Sequence, residues 1–223
     1  MADAVIRPYA PTDRAAVRAL ACDTADRGQP VERFFDDREV VADILTCYYT
    51  EADPQHVWVA VENGTVIGYV FGTLNTRRAH RFMAWRVLPR AFCLSVAHGS
   101  LWSPQARRLG CAAVHTLMRG GWWRAVSLRA YPAHLHVNLR DGSRGRGIGR
   151  QLVARFMDQA RTAVVPGVHV AVRADNAPAC RLFEALGFRV LSRHPVVMCG
   201  DDDTFQVRET VIYGSTLSSG SPQ

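Results

Sequence analysis

The sequence contains no lysine, so all 27 of its Lys or Arg residues are arginine. It also has no acidic residue between Asn63 and Arg140, a stretch that holds eleven arginines. No run of 18 apolar residues occurs, and the chain does not open with a secretory leader pattern, so we expect a cytoplasmic protein without a transmembrane segment. The six cysteines are dispersed without a Cys-x-x-Cys pair, which predicts buried thiols and no metal site.

The most informative segment that is present is a glycine-rich stretch at residues 143–150, with glycines at 145, 147 and 149. The alternating segment 133–139 before it predicts a strand, and apolar residues at helical spacing follow it. Between a strand and a helix, glycines let the backbone approach a ligand, and the free N–H groups of the helix attract anions. Arginines in the same stretch add countercharge. The pattern predicts a phosphate-binding loop.

Two common phosphate-binding motifs do not match this loop. A nucleoside-triphosphate loop needs a lysine after its last glycine, and the chain has none. A dinucleotide fingerprint would need a third glycine where the chain has Arg150, and it opens a longer series of strand–helix units than the 74 remaining residues allow.

The loop instead resembles a family signature. Arg144-x-x-Gly147-x-Gly149 is similar to the Gln/Arg-x-x-Gly-x-Gly/Ala motif with which Gcn5-related N-acetyltransferases (GNAT) bind the pyrophosphate of acetyl-CoA. The segment from Asn176 to Phe188 is similar to the family's Asn-x-x-Ala…Tyr-x-x-x-Gly-Phe run, and it follows a predicted strand in the expected order. The resemblance therefore implies acetyl-CoA as donor and an amine as acceptor.

A narrower resemblance rests on two shorter segments. Residues 131–136 and 166–169 are similar to bacterial proteins related to the acetyltransferase-like domain of O-GlcNAc hydrolases.

The family resemblance implies an α/β protein with the GNAT fold, a mixed central sheet of six or seven strands flanked by helices, in a single domain over residues 1–223. Asn63-Gly64 predicts a hairpin turn, and Thr12 or Asp13 is expected to cap the first helix. The predicted strands are 5–8, 57–62, 66–72, 133–139, 168–172, 190–192, 196–199 and 205–213, and the predicted early helices are 15–23 and 39–49. The tail 215–223 is expected to fray.

Residues 76–132 depart from the family by their length, with ten arginines and six interleaved aromatic residues. We expect a basic helical insertion between the third and fourth strands, folded over the active site. Three roles stay open for it: a solvated arginine face, a pocket for an acidic acceptor or the cofactor's phosphates, or a nucleic-acid or membrane surface. Nucleic acid is not the expected partner.

The resemblance also assigns cofactor-binding residues. The pantetheine arm would pair with strand backbone near Val137 and Leu139, and Asn176 would hold it from the other side or simply cap its helix. The pyrophosphate would take the N–H groups of the loop, which comprises Arg144, Gly145, Arg146, Gly147, Ile148, Gly149 and Arg150.

The sequence indicates the general base and the general acid of the reaction less directly. Alternation places His134, His136 and Asn138 on one face of their strand, so we expect His136 first and His134 second as the general base, with structural hydrogen bonding as the alternative for either. Carboxylates that could replace them are Glu62, Asp141 and Glu209.

Phe183 stands where many members of the family have a proton-donating tyrosine. Tyr131, Tyr213 or water would then protonate the thiolate. Three functions therefore remain: an N-acetyltransferase for a small-molecule or peptide amine, which is favoured, a silent acyl-CoA-binding module, or a basic nucleic-acid or surface-binding protein. A homodimer is possible.

Overall fold

The computed structural model describes residues 4–25, 29–119, 126–199 and 204–217. Within these ranges a seven-stranded sheet has the order β1-β2-β3-β4-β5-β7-β6. The strands are β1 (Val5–Pro8), β2 (Val57–Glu62), β3 (Thr65–Thr73), β4 (Ala133–Leu139), β5 (Gly167–Arg173), β6 (Arg189–Cys199) and β7 (Phe205–Thr216). Neighbouring strands are antiparallel except for the parallel pair β4 and β5, so the predicted mixed sheet is confirmed.

Helices cover both faces of the sheet. They are α1 (Arg14–Asp23), α2 (Arg38–Cys47), α3 (Thr76–Phe82), α4 (Leu88–Ala97), α5 (Pro104–Met118), α6 (Ile148–Thr162) and α7 (Ala177–Ala185). Residues of α1 and of the turn after α2 pack with β2 and β3 in one core cluster, and α6 packs with β3, β4 and β5 in another. The sheet is therefore covered by a separately packed layer on each face.

Helix α6 lies directly against the sheet. Its fully buried side chains include Leu152 and Phe156, which recur at helical spacing. A Cβ atom at Gly72 of β3 would lie 2.0 Å from a ring carbon of Phe156, so only glycine permits this close approach. The contact packs the middle of α6 closely against β3.

The N-terminal half confirms one turn prediction and corrects one cap prediction. Asn63 and Gly64 have φ angles of 50° and 75°, as a two-residue hairpin turn between β2 and β3 requires. Asp13, one of the two predicted residues, occupies the N-cap position of α1, but its side chain makes no capping hydrogen bond. Its carboxylate instead accepts the N–H of Ala10 at 2.8 Å and pairs with Arg7 at 2.6 Å, so the expected side-chain cap is wrong.

The insertion between β3 and β4 is helical, as predicted, and consists of α3, a π-helical turn (Met83–Val87), α4 and α5. The Nε of Arg90 pairs with Asp43 of α2 at 3.2 Å, and Thr116 of α5 accepts the N–H of Val197 at 2.9 Å. These contacts attach the insertion to α2 and β6. Three of the basic and aromatic residues counted in the insertion, Trp122, Trp123 and Arg124, lie outside the described ranges.

The C-terminal strands differ from the prediction in two ways. The segments 190–192 and 196–199 form one strand, β6, which continues through Pro195 because it is the edge strand and a missing N–H is tolerated there. The frayed tail was placed too early, since Ser215 and Thr216 belong to β7 and pair with β5. Residues 218–223 lie outside the described ranges.

Candidate active site

The site is a cleft opened by the divergence of β4 and β5. The two strands pair only at Ala133 with Val168 and at His134 with His169, although β4 continues to Leu139 and β5 to Arg173. The cleft has a volume of about 490 Å³, and its wall includes Val137 and Leu139. Where β4 and β5 diverge, their unpaired backbone groups are thus available to an extended ligand.

The glycine loop closes one end of this cleft. Gly145 and Gly147 have φ angles of 77° and 78°, which L-amino acids with side chains rarely adopt. Gly147 directly precedes α6, and no side chain caps this helix, so its first N–H groups remain available to an anion. A Cβ atom at Gly149 would lie 3.3 Å from the Leu139 side chain, so a larger residue there would have to displace Leu139.

Not every residue of the loop faces the cleft. Arg144, Gly145, Gly147, Gly149 and Arg150 line it. The side chains of the other two residues, at positions 146 and 148, do not line the cleft.

Arg146 pairs with Glu62 at 2.6 Å, and Ile148 is buried in the core. The Arg146 guanidinium is therefore not the countercharge that the sequence predicted, although the loop backbone keeps its predicted place.

The cleft is positively charged at the loop end. Four arginines line it: Arg144, Arg150, Arg173 and Arg181. Arg144 and Arg173 each pair with a carboxylate, at 2.9 and 2.8 Å. Within the described residues, Arg150 and Arg181 have no ion pair and are exposed, so two full positive charges face this opening.

Asn176 caps α7 and lines the cleft at the same time. Its side-chain oxygen accepts the N–H of Ala179 at 3.3 Å, which confirms the capping alternative. Because the residue also contributes to the cleft wall, the two predicted roles are compatible.

His134 is buried and both of its ring nitrogens have partners. Its Nε2 lies 2.6 Å from the Tyr49 hydroxyl and its Nδ1 lies 2.9 Å from the Thr76 hydroxyl. Burial, followed by the nearby His136, His169 and His80, lowers the pKa of His134 well below its usual value. The ring is neutral at pH 7 and has no nitrogen left for a ligand.

His136 lines the cleft and is the only one of the two predicted histidines that does. Its ring centre lies 5.4 Å from that of His134 and 6.1 Å from that of Tyr49, in edge-to-face contacts. The surrounding protein, and next the charge of His169, lower the pKa of His136 to about 4. Water reaches the ring through the open cleft, which moderates this lowering, and the imidazole is neutral at pH 7.

Two tyrosines that the sequence analysis did not identify form hydrogen bonds with side chains of β4. Tyr49 lies in the π-helical turn (Tyr48–Ala52) that follows α2, and such turns are often found at functional sites. Tyr69 of β3 lies opposite Asn138 and accepts a hydrogen bond from its side-chain amide at 2.9 Å. The register of β3 against β4 would have revealed Tyr69, whereas nothing local indicates Tyr49.

The predicted proton donors do not face the cleft. Phe183 is 2% exposed and lines it, whereas within the described residues no tyrosine does. The Tyr213 hydroxyl donates to Glu184 at 2.8 Å, and burial and this contact raise its pKa. The substitute carboxylates Glu62, Asp141 and Glu209 are each paired with an arginine instead of facing the cleft.

The chain belongs to the acetyltransferase (GNAT) family. The family's sequence profile matches residues 16–188, which include both predicted motifs and all of the cleft. The narrower likeness to the O-GlcNAc hydrolase domains stays a prediction.

Individual relatives agree with this assignment. The L-methionine sulfoximine/L-methionine sulfone acetyltransferase of Salmonella typhimurium is 35% identical over 80 residues, which cover 34% of this chain and 45% of that protein. The chain thus spans less than half the length of this curated relative. The crystal structure of SsHAT has a TM-score of 0.69 and 26% identity, and the match covers 97% of this chain and 100% of that one.

A second solved structure shows the same fold at lower identity. It is yncA from Salmonella typhimurium, a putative acetyltransferase with its cofactor acetyl-CoA. The TM-score is 0.59 at 17% identity, covering 99% of this chain and 98% of that one.

Proposed function

We propose that the protein transfers the acetyl group of acetyl-CoA to an amine by direct attack of the acceptor. The observation that carries the proposal is that β4 and β5 diverge beside the start of α6. That helix start has no side-chain cap, and the two glycines before it, Gly145 and Gly147, have left-handed φ angles. That arrangement combines a backbone edge for an amide-bearing arm with a phosphate-binding helix terminus. The yncA structure, which contains acetyl-CoA, has the same overall fold.

The residues fit such a donor by charge and by space. The N–H groups at the start of α6 would take the pyrophosphate, with Arg144 and Arg150 beside them. The pantetheine arm would lie along Val137 and Leu139, opposite Asn176. When bound, acetyl-CoA supplies the thioester carbon that the acceptor attacks.

His136 is the proposed base. An amine acceptor is mostly an ammonium ion at neutral pH and must lose a proton before it attacks. His136 is neutral, faces the cleft and can accept that proton directly or through water. His134 takes a supporting role in this proposal, because Tyr49 and Thr76 occupy its nitrogens.

Water is the proposed proton donor to the departing thiolate. Phe183 has no proton to give, and the Tyr213 hydroxyl is directed to Glu184. A thiolate whose conjugate acid has a pKa near that of free cysteine leaves without prior protonation, so the reaction does not depend on a tyrosine.

Calorimetry with acetyl-CoA and thiol release against a panel of amines test the proposal. The panel should contain a simple primary amine, an amino acid, an amino sugar and a lysine peptide. We expect binding and acceptor-dependent thiol release. If acetyl-CoA binds but no acceptor releases thiol, the protein is a silent acyl-CoA-binding module and not an enzyme. The observation that favours this second function is that no tyrosine among the described residues lines the cleft.

A matched pair of glycine variants tests the loop itself. Gly147→Leu places a side chain in the cradle, and Gly99→Leu introduces the same left-handed strain outside the cleft, since Gly99 has a φ of 73° and open space around it. Only Gly147→Leu should lose acetyl-CoA binding. Intact binding in a folded Gly147→Leu protein would refute the phosphate cradle.

A further inference from the structure

The first helical part of the insertion exposes four of its large apolar residues, although Phe82, Met83 and Leu94 pack against the core and Val87 is buried. Its buried positions also include Thr76, Ala79, Ala91 and Ser95. Its outward positions include Trp85, which is 82% exposed, and Phe92, which is 58% exposed. Leu88 and Val96 are exposed on the same helix. A helix that only covered a core would keep its outward face polar, and this one does not.

The second helical part continues this property. Trp102, just before α5, is 72% exposed, and Met118 at the end of α5 is 81% exposed. Leu109, Val114 and Leu117 of α5 are also exposed. Single exposed apolar residues need no explanation, but nine of them on the described helices of one insertion indicate a binding surface.

The same helices carry arginines that the protein does not neutralise. Among the described residues, Arg77, Arg81, Arg86 and Arg107 are exposed and have no carboxylate within ion-pair distance, in contrast to Arg90, which pairs with Asp43. Since residues 63–140 contain no acidic side chain, no local group can compensate them. The partner of this surface must therefore be both anionic and apolar.

We propose that the outward face of α3, α4 and α5 docks on an anionic lipid bilayer surface. Arginine, tryptophan and aliphatic side chains together match the boundary between headgroups and acyl chains, where the rings and aliphatic groups insert and the guanidinium groups meet lipid phosphates. This goes beyond the acetyl transfer proposed above and does not depend on it. The face would lie on the membrane, because no helix in the described ranges is long and apolar enough to cross one.

Two other occupants fit these residues less well. A second copy would bring the same unpaired arginines against each other across a two-fold axis, which like charges oppose. Single-stranded nucleic acid stacks on aromatic rings, and it would leave the exposed Leu88, Val96, Leu109 and Met118 without a partner.

Co-sedimentation of the full chain with vesicles tests the proposal. Vesicles of phosphatidylcholine alone should bind little, and vesicles containing phosphatidylserine should bind well, with binding weakened by salt. The variant Trp85→Ser/Phe92→Ser should lose this binding at least tenfold. The control Val207→Ser removes a 56%-exposed residue of β7 and should change nothing. Arg81→Gln/Arg86→Gln should weaken binding about fivefold per arginine and reduce its salt dependence.

Several outcomes overturn the proposal. One is the absence of binding to phosphatidylserine vesicles at low salt, and another is equal binding by the Trp85→Ser/Phe92→Ser protein. Light scattering that shows a dimer dissociated by these two substitutions assigns the face to a second copy. Binding of single-stranded DNA that the vesicles cannot displace assigns it to nucleic acid.

Discussion

Arg146 extends away from the cleft and forms a two-point ion pair with Glu62, with Nη1–Oε2 and Nη2–Oε1 distances of 3.1 and 2.6 Å. The pair ties the glycine loop to the end of β2, two elements that are 84 residues apart in sequence. The Arg146 side chain thus fixes the position of the loop and does not line the cleft.

Removing Glu62 should therefore weaken acetyl-CoA binding without unfolding the protein. In Glu62→Gln the loop loses its charged anchor, so part of the binding free energy would be spent on ordering it. We expect a severalfold higher dissociation constant by calorimetry. Glu39→Gln, which removes a more exposed carboxylate near Arg18, away from the loop, is the control and should bind normally. Unchanged binding by Glu62→Gln would show that the loop needs no anchor.

Replacing His136 should lower turnover without changing donor binding. We expect His136→Gln to lower kcat by about 10²–10⁴-fold, the usual contribution of a general base, while KM for acetyl-CoA stays the same. Because the pKa of His136 is lowered, its imidazole is already neutral between pH 6 and 9, and the rise of activity across this range should follow the pKa of the acceptor amine instead. The exposed His115 offers the control His115→Gln. A variant with full kcat would leave deprotonation to solvent.

Introducing the missing hydroxyl should speed the reaction if thiolate protonation limits it. Phe183→Tyr places a phenol at the cleft wall, and we expect a rise in kcat of about tenfold, small for an added acid because the thiolate leaves well by itself. Phe188→Tyr changes a buried neighbour, 5.3 Å away between ring centres, that does not line the cleft. Equal rates for both variants would show that water suffices.

Three histidines with lowered pKa values should make stability depend on pH in one direction. The pKa values of His134, His136 and His169 are all lowered by folding, so the unfolded chain binds protons that the folded chain does not. Stability is then full above about pH 6.5, the ordinary pKa of histidine, and falls as the pH decreases towards 4.

Thermal unfolding across this pH window measures the effect. His134→Gln should be less stable at pH 7 because it loses the hydrogen bonds that the imidazole forms with Tyr49 and Thr76. Its melting temperature should, however, fall less steeply as the pH decreases. His115→Gln should keep the slope of the original protein. An unchanged slope in His134→Gln would mean that folding does not lower the pKa of His134.

The strands, helices and glycine loop could be predicted because they depend on neighbours in sequence. The hairpin at Asn63-Gly64 needs two residues with positive φ, and the loop before α6 needs glycines where the backbone turns. Such conditions are visible within a few positions. The merged strand β6 could not be foreseen, because a proline normally interrupts a strand and only the edge position of β6 makes it tolerable.

The chemistry of the site depended on contacts across long distances in the chain. Alternation placed His134 and His136 on one face, but it could not show that Tyr49, 85 residues before His134, takes its Nε2 while His136 remains open to the cleft. Likewise, the aromatic and basic composition of the insertion was evident, yet its outward direction was not.

The sequence by itself determined the family, the order of the strands along the chain and the glycine loop before α6, since these follow from local backbone requirements and short motifs. The tertiary structure alone decided which histidine faces the cleft, which arginine anchors the loop and which side of α4 meets solvent. Those outcomes depend on which distant side chains and layers come within contact distance after folding, and no local pattern encodes that.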